Sequence, residues 1–310
     1  MITKLKIYEG DSFNPHYNLA VEEYLLENVK SDTCILYLWQ NENTVVIGRN
    51  QNPWKECKVD LLKEEGGLLA RRLSGGGAVF HDSGNLNFTF LMPQQDYDLD
   101  KQLSVIQEAV KRCGIATERS GRNDILAEGR KFSGNAFYKN GTQAYHHGTI
   151  LVCADHEKLG RYLSPSKAKL QSKGVDSVRS RVINLSELRP ETTVSVLKEH
   201  LAEAFSDVYG IQAEKLHKED LDAAVISKIH ERNASWEWNF GRKLPFSYTY
   251  EDRCEWGEVQ IHMEIDNGVI QSVKVYSDAM DWEIASCLEE RLKGRRFSED
   301  DIKEQLKNIR

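Results

Sequence analysis

Residues 131–152 constrain the fold more tightly than any other stretch of this chain. KFSGNAFY and TQAYHHGTILV are strand-forming runs, and Lys139-Asn140-Gly141 stands between them. Asn-Gly tolerates the positive φ angles of a tight turn and is the strongest short-range hairpin signal. Read as a two-residue loop, Asn140-Gly141 puts Lys139 opposite Thr142 and Lys131 opposite Ile150, with His147 and Gly148 a step or two away. A lysine and a histidine then share one corner of an antiparallel sheet. His146 and His147 are strand neighbours pointing to opposite faces, so they cannot chelate one metal together and at most one faces a site.

Around this hairpin the pattern alternates between helix and strand. Residues 18–30 set Leu19, Leu25, Leu26 and Val29 among carboxylates, which predicts an amphipathic helix with Asn18 as N-cap. ILYLW, TVVIG, LLARR and NFTFL read as strands. Leu99, Leu103, Ile106, Val110 and Cys113 return to helical spacing, and Gly114 can stop that helix. Residues 164–183 read as a basic loop, with helical patterns at 191–208 and 217–231. Gly241 and Pro245 then punctuate the chain, and VQIHMEI and VIQSVKVY flank Asp266-Asn267-Gly268 as a second hairpin. The fold class expected is α/β (α+β), a mixed-sheet large domain over 1–246 and a small α+β domain over 247–310. A length of 310 residues suits that division.

Composition removes several functions. Apolar residues make up 40%, too many for a disordered acidic chain, and 41 basic against 48 acidic residues argue against general nucleic-acid binding. The longest apolar runs, CILYLW and VVIG, are too short to span a membrane, and MITKLKIYEGD lacks an apolar signal core. Six cysteines are scattered singly with no CxxC pair. They read as reduced thiols of a cytoplasmic protein, with neither a disulfide framework nor a metal site.

Besides the adjacent histidines, four features could carry chemistry. In ARRLSGGGAVFHD, 70–82, three glycines let a backbone approach a ligand, and their N–H groups can form a nest for an anion. Arg71 and Arg72 would stand at the loop entrance as donors for carboxylate or phosphate. A glycine-rich hairpin turn with solvated arginines is the plain alternative. In GRNDILAEGRKFSGNA, Lys131 enters a strand shortly before Gly134 and can neutralise a carboxylate or phosphate, while Asn123 and Asp124 could reach a hydrated magnesium ion. A surface lysine guarding an edge strand is the competing explanation. Trp39 could wall an acyl pocket, or simply pack in the core. Residues 173–182 could fold over a nucleotide, or form a solvated connection.

In order along the chain, LYLWQNENTVVIGRNQNPWKEC, RRLSGGGAVFHD, GRNDI, RKFSGNA, HHGTILV, KGVDSVRSRV and ASWEWNFG resemble the lipoate–protein ligase A family, the bacterial single-chain type. WGEVQIHMEIDNGVI resembles that family's small accessory domain. The resemblance implies a fold related to biotin ligases and a two-step reaction. Lipoate and ATP with Mg2+ would give lipoyl-AMP, and the lipoyl group would pass to a lysine of lipoyl carrier domains in 2-oxoacid dehydrogenase complexes or the glycine-cleavage H protein. By matching position, Arg72, Gly77, Ala78, Val79 and Phe80 would contact ATP, and Lys131, as catalytic residue, would contact both reactants. Arg72, Ser74, His147 and Trp39 would line the substrate site, and 173–182 would close on the adenylate. No protein metal cage, membrane or nucleic-acid partner is expected, and the protein is expected to be a monomer.

The nearest rival is an octanoyl or lipoyl transferase of the same fold working through a cysteine thioester, for which Cys153 is the one candidate. A biotin ligase and a non-catalytic lipoate- or carrier-binding protein are the others; RRLSGGG disfavours the first, and the lysine with the arginine–glycine loop disfavours the second.

Overall fold

A computed structural model describes residues 1–309 apart from 122–123, 164–181, 242–245 and 278–282. Asn123 and nearly all of the expected closing loop, 173–181, thus lie outside the described residues.

Every residue of Thr33–Trp39 and of Asn85–Pro93 is buried. Strands without an exposed face belong in the middle of a sheet covered on both sides. Numbered along the chain, the strands are β1 (Lys4–Glu9), β2 (Thr33–Trp39), β3 (Thr44–Ile47), β4 (Leu68–Arg71), β5 (Val79–His81), β6 (Asn85–Pro93), β7 (Glu118–Ser120), β8 (Asp124–Ala127), β9 (Arg130–Lys139), β10 (Gln143–Leu151) and β11 (Ala213–Lys215). Eight of them form one sheet in the order β11-β1-β2-β6-β10-β9-β8-β7. Strand β1 runs parallel to β2 and β11, and the remaining pairs are antiparallel, so the sheet is mixed.

One face of this sheet is dry. Leu36, Leu38, Phe88, Phe90, Met92, Phe132 and Ile150 pack with Val105, Ile106, Leu201 and Phe205 of two covering helices, Leu99–Arg112 and Val194–Tyr209. The other face begins in the same way, with Tyr37, Trp39, Leu91 and Tyr145 against Leu19, Leu25 and Leu26 of helix Pro15–Asn28. It then turns polar: Asn85, Asn87, Thr89 and His147 are all buried there. Buried polar side chains are the informative exception in a protein interior, and these mark the site.

Local details differ from the sequence reading. Asn14, not Asn18, caps the first helix, accepting from the backbone N–H groups of His16 and Tyr17. Asn18 sits inside the helix, fully buried, and its amide donates to the carbonyls of Ser12 and Gln40. The Asn140-Gly141 hairpin forms, but Lys139 faces Ala144 and Ser133 faces Ile150. Asn140 pairs with Gln143 instead of occupying the turn, because its Oδ1 accepts from the N–H groups of Thr142 and Gln143. This two-residue slip preserves the faces, so His147 still looks to the polar side. Lys131 runs past the end of β10 and lies beside Leu126 and Val182. Strand β11, only three residues long, carries no readable alternation.

The chain divides into two compact units, Met1–Ala234 and Ser235–Arg310; the sequence reading placed the division at 246/247. In the second unit β12 (Phe246–Cys254), β13 (Gly257–Asp266) and β14 (Val269–Ser277) form an antiparallel sheet in that order. Here Asn267 and Gly268 do occupy the turn, both with positive φ, and Asp266 faces Val269. Ile261, Met263 and Ile265 alternate inward, and the helices Glu283–Leu292 and Glu299–Lys307 contribute Leu288, Leu292, Ile302 and Leu306 to the interior. Trp236 covers the turn so closely that a Cβ on Gly268 would lie 2.5 Å from its ring. No described helix is long and apolar enough to cross a membrane.

A Cβ on Gly148, in the middle of β10, would meet the Gly134 carbonyl at 2.6 Å, the Phe88 ring at 2.7 Å and Asn135 Oδ1 at 2.8 Å. Gly148→Ala is therefore expected to destabilise the large unit by about 1–3 kcal/mol, as overpacking does; denaturant unfolding measures it.

Candidate active site

The glycine run does not make a hairpin. Strands β4 and β5 lie on opposite edges of β3, the first parallel to it and the second antiparallel. The run 72–78 therefore crosses the end of β3, where only glycine fits beneath it: a Cβ on Gly48 would lie 2.3 Å from the Gly76 carbonyl oxygen. The Arg49 N–H donates to the Ser74 carbonyl at 2.8 Å and ties the crossing down.

Both arginines point inward, contrary to the expectation of free donors at the loop entrance. Arg71 Nη1 donates to the carbonyls of Gly48, Arg49 and Gln51. Arg72 donates from Nη1 to the Val46 carbonyl and from Nη2 to those of Gly75 and Gly77, both at 2.8 Å. Loop carbonyls without a strand partner need donors, and the two guanidinium forks supply them. Burial lowers the Arg72 pKa to about 10; it remains a cation beneath a loop whose glycines 75–77 are exposed.

From Arg72 a hydrogen-bonded chain crosses the interior. Arg72 Nε donates to Ser74 Oγ at 3.0 Å, and Ser74 Oγ lies 2.7 Å from His147 Nε2. His147 Nδ1 is 2.8 Å from Glu22 Oε1, which also accepts from Thr89 Oγ1 at 2.7 Å, and Trp39 Nε1 donates to Thr89 Oγ1 at 3.1 Å. The carboxylate fixes the tautomer: His147 carries its proton on Nδ1 and accepts from Ser74 through Nε2. Every donor on both sides thus points toward Glu22. Serine, histidine and carboxylate in this order can activate a nucleophile, but Ser74 Oγ is buried and one of its lone pairs is occupied by Arg72.

Lys131 belongs to the same face. A bulge between Ile125 and Leu126 re-aims the start of β9. The ammonium lies 2.7 Å from Asp124 Oδ1, over Gly134, where a Cβ would come within 2.8 Å of Nζ. Strand register places Trp39, Asn87, Thr149, Gly134 and Asp124 side by side in one row across β2, β6, β10, β9 and β8. The glycine loop hangs beside this row, with a Cβ on Gly76 reaching 4.0 Å from Ala136, which faces His147. Arg72, Ser74, His147, Trp39 and Lys131 are thereby gathered on one surface, with Gly77, Ala78, Val79 and Phe80 leaving along its edge.

Sequence reasoning overlooked Glu22, Thr89 and Asn87, and took His81 only as part of an anion site. A signal existed for Glu22, which lies three residues from both Leu19 and Leu25 and so falls on the apolar stripe of its helix. His146, expected to face away from His147, does so; it lies between Gln102 and Asn135 on the dry face. Cys153 is exposed, and burial together with Asp82 pushes its thiol pKa up, the opposite of an activated thiolate. It lines an open cleft of about 740 Å³ together with Phe13, Leu68 and Asp82, a cleft to which none of the row residues contributes.

Among the described residues no group of three or more His, Cys, Asp or Glu side chains could hold a metal. Asp124 is a single half-exposed carboxylate beside Lys131. Magnesium characteristically keeps waters and binds through one or two carboxylates plus substrate phosphates, so the donor set fits Mg2+ only in that manner.

Comparison with known proteins places the chain. The lipoyl protein ligase A/B catalytic domain matches residues 14–206, and the bacterial lipoate protein ligase C-terminus matches 243–310. A lipoate-protein ligase A from Bdellovibrio bacteriovorus is 41% identical over 314 residues, covering 99% of this chain and 93% of the relative. P. falciparum LipL1, crystallised with lipoate, is 29% identical with a TM-score of 0.67, covering 99% of this chain and 94% of that one. A lipoate-protein ligase A bound with ATP shares the fold at 24% identity and a TM-score of 0.66, covering 77% of this chain and 98% of that one.

Two outcomes follow from the geometry. Gly134→Ala is expected to fold, because the flexible Lys131 side chain can yield, but to lose roughly 100-fold in kcat/KM through the displaced ammonium. His81 and His146 are buried and neutral, each with its pKa lowered from 6.5 to about 3, mainly by burial. The unfolded chain binds protons at both below pH 6.5 while the folded chain does not until near 3, so stability is expected to fall with pH across that window. Thermal midpoints at pH 7 and pH 5 check this, and equal values would contradict it. From its family models and from a relative matched over 99% of its length, the chain belongs to the lipoate–protein ligase family.

Proposed function

We propose that the polar row between Trp39 and Lys131 is where this ATP-dependent ligase joins lipoate to ATP. The single observation that carries the reading is the row itself. Trp39 and Gly134 stand three strand spacings apart, about 14 Å. Lipoate's eight carbons, three of them within its terminal dithiolane ring, span about 10 Å from their bond lengths, and the van der Waals radii of the two ends take up the remainder. The carboxylate would lie at Lys131 and the distal end at Trp39 and His147.

Joining a carboxylate to a triphosphate requires two anions to approach one another. Lys131 offsets their repulsion at the point of attack, and its position over Gly134 lets both oxygens come close. Arg72 adds buried positive charge beneath the glycine loop, and with carbonyls 75 and 77 turned toward its guanidinium, the exposed face of 75–77 and the half-buried 78–79 are left to the nucleotide. Asp124 would hold Mg2+ through the phosphates; when bound, that ion neutralises charge on the departing pyrophosphate. The carboxylate oxygen attacks the α-phosphorus, pyrophosphate leaves, and the mixed anhydride carries its own leaving group. A neutral carrier lysine amine then attacks the acyl carbon, AMP departs and the amine's proton passes to solvent, so no protein nucleophile is needed. Ser74 and His147 hold the acyl end in register with the loop.

The name of the family sets a protein as acceptor. We assign that role to lipoyl carrier domains of 2-oxoacid dehydrogenase complexes and of the glycine-cleavage H protein, met in the cytoplasm by a monomeric enzyme. Residues 1–246 would carry both steps and 247–310 an accessory role.

Mass spectrometry of a purified carrier domain incubated with the protein, ATP, magnesium and lipoate tests this directly. A lipoyl increment that requires every component is expected, and Lys131→Ala is expected to lower its rate by about a thousandfold, the scale of a lost charge-stabilising donor. Modification at an undiminished rate would remove Lys131 from the mechanism.

A further inference from the structure

Two buried N–H donors beside Trp39 have no partner among the described residues: Nε2 of His81 and Nδ2 of Asn87. The His81 donor is set by its neighbours. Asn18 Nδ2 lies 3.0 Å from Asn41 Oδ1, its two protons shared among that oxygen and the carbonyls of Ser12 and Gln40. That turns Asn41 Nδ2 toward His81 Nδ1 at 3.1 Å, so Nδ1 accepts and the imidazole proton sits on Nε2. Asn85 Nδ2 donates to Asn87 Oδ1 at 2.9 Å, which leaves Asn87 Nδ2 and Asn85 Oδ1 without partners; turning both amides over keeps the bond, so one unpaired amide donor stands on this strip in either arrangement. Asn87 is the cross-strand neighbour of Trp39, and the His81 ring stands edge-on to the indole with centroids 6.3 Å apart. The indole N–H is already given to Thr89.

Leaving donors unpaired in an interior costs stability. Such groups persist where a ligand completes them. By the row arithmetic, an acyl chain whose carboxylate lies at Lys131 ends among Trp39, His81 and Asn87. We propose that His81 Nε2–H and Asn87 Nδ2–H determine acyl specificity by donating to the sulfur atoms of a dithiolane ring, so the pocket selects a sulfur-ended acid over a plain alkyl acid of the same length. Sulfur is a weak acceptor, yet this chain already uses one: Gln102 Nε2 donates to Met92 Sδ at 2.9 Å. An alkyl end would bury both donors with nothing to receive them, the circumstance in which enzymes discriminate against an analogue lacking the matching group. The competing occupant is water, which Asn85 Oδ1, an unpartnered acceptor on the same strip, would also welcome.

This inference rests on the ligase reading, and its test separates the two. The whole enzyme is assayed with ATP, magnesium and a carrier domain, using either lipoate or its carbocyclic analogue in which both ring sulfurs are methylenes. Wild type is expected to favour lipoate by roughly tenfold in kcat/KM. That ratio should collapse toward one in Asn87→Leu and His81→Leu, and persist in His81→Gln, whose amide restores a donor. Equal use of the two acids by wild type overturns the proposal, whatever becomes of the variants, as does an unchanged ratio in a folded Asn87→Leu protein. If no carrier is modified with either acid, the ligase reading fails instead. Calorimetric competition between the two acids for the wild-type protein then decides the donor proposal alone, with equal affinities counting against it.

Discussion

Glu22 is a carboxylate almost without water, and the arrangement around it organises the large unit. Helix Pro15–Asn28 delivers it onto the sheet, where β10 presents His147 and β6 presents Thr89. Through those two it is joined to Trp39 on one side and to Ser74 and Arg72 on the other. Burying an arginine and a glutamate joined only through Ser74 and His147 is a poor route to stability, because desolvation costs as much as any attraction returns. What the network supplies is position. Trp39 and His147 cannot shift without disturbing the glycine loop.

The second constraint is the register of the main sheet. Five strands from different parts of the chain contribute one residue each to a single row, and the side chains change character along it from indole to amide to hydroxyl to none to carboxylate. Gly134 is the blank position, and Lys131 fills the space above it. An amphiphilic acid with an anionic head and an apolar tail matches that gradient. The small sheet β4-β3-β5 completes the site from the other side by passing its glycine loop across the end of β3.

Much of this was legible in the letters. Long buried strands, the Leu99–Arg112 helix and both hairpins were readable from periodicity and Asn-Gly dipeptides, because those signals are local. The Asn267-Gly268 turn came out in the expected register, whereas Asn140 moved out of its turn because its side chain replaced a backbone acceptor, a choice the dipeptide does not reveal. Lys131, Arg72, Ser74, His147 and Trp39 could be singled out as residues of interest. Their connection could not, since it passes through Glu22 and Thr89, which look like an ordinary helix carboxylate and an ordinary strand threonine until the sheet is assembled. The inward turn of both arginines was hidden for the same reason: the carbonyls that attract them belong to a crossing loop, and that crossing exists only once β4 and β5 flank β3.

The most direct measurement is a crystal structure with a non-reactive acyl-adenylate mimic, an acyl sulfamoyl adenosine. The account predicts an acyl chain lying along Trp39, Asn87 and Thr149, the sulfamoyl group at Lys131 and the nucleotide against 75–80. A mimic seated in the open cleft beside Cys153, or one running off the row with Lys131 still paired only to Asp124, would contradict it.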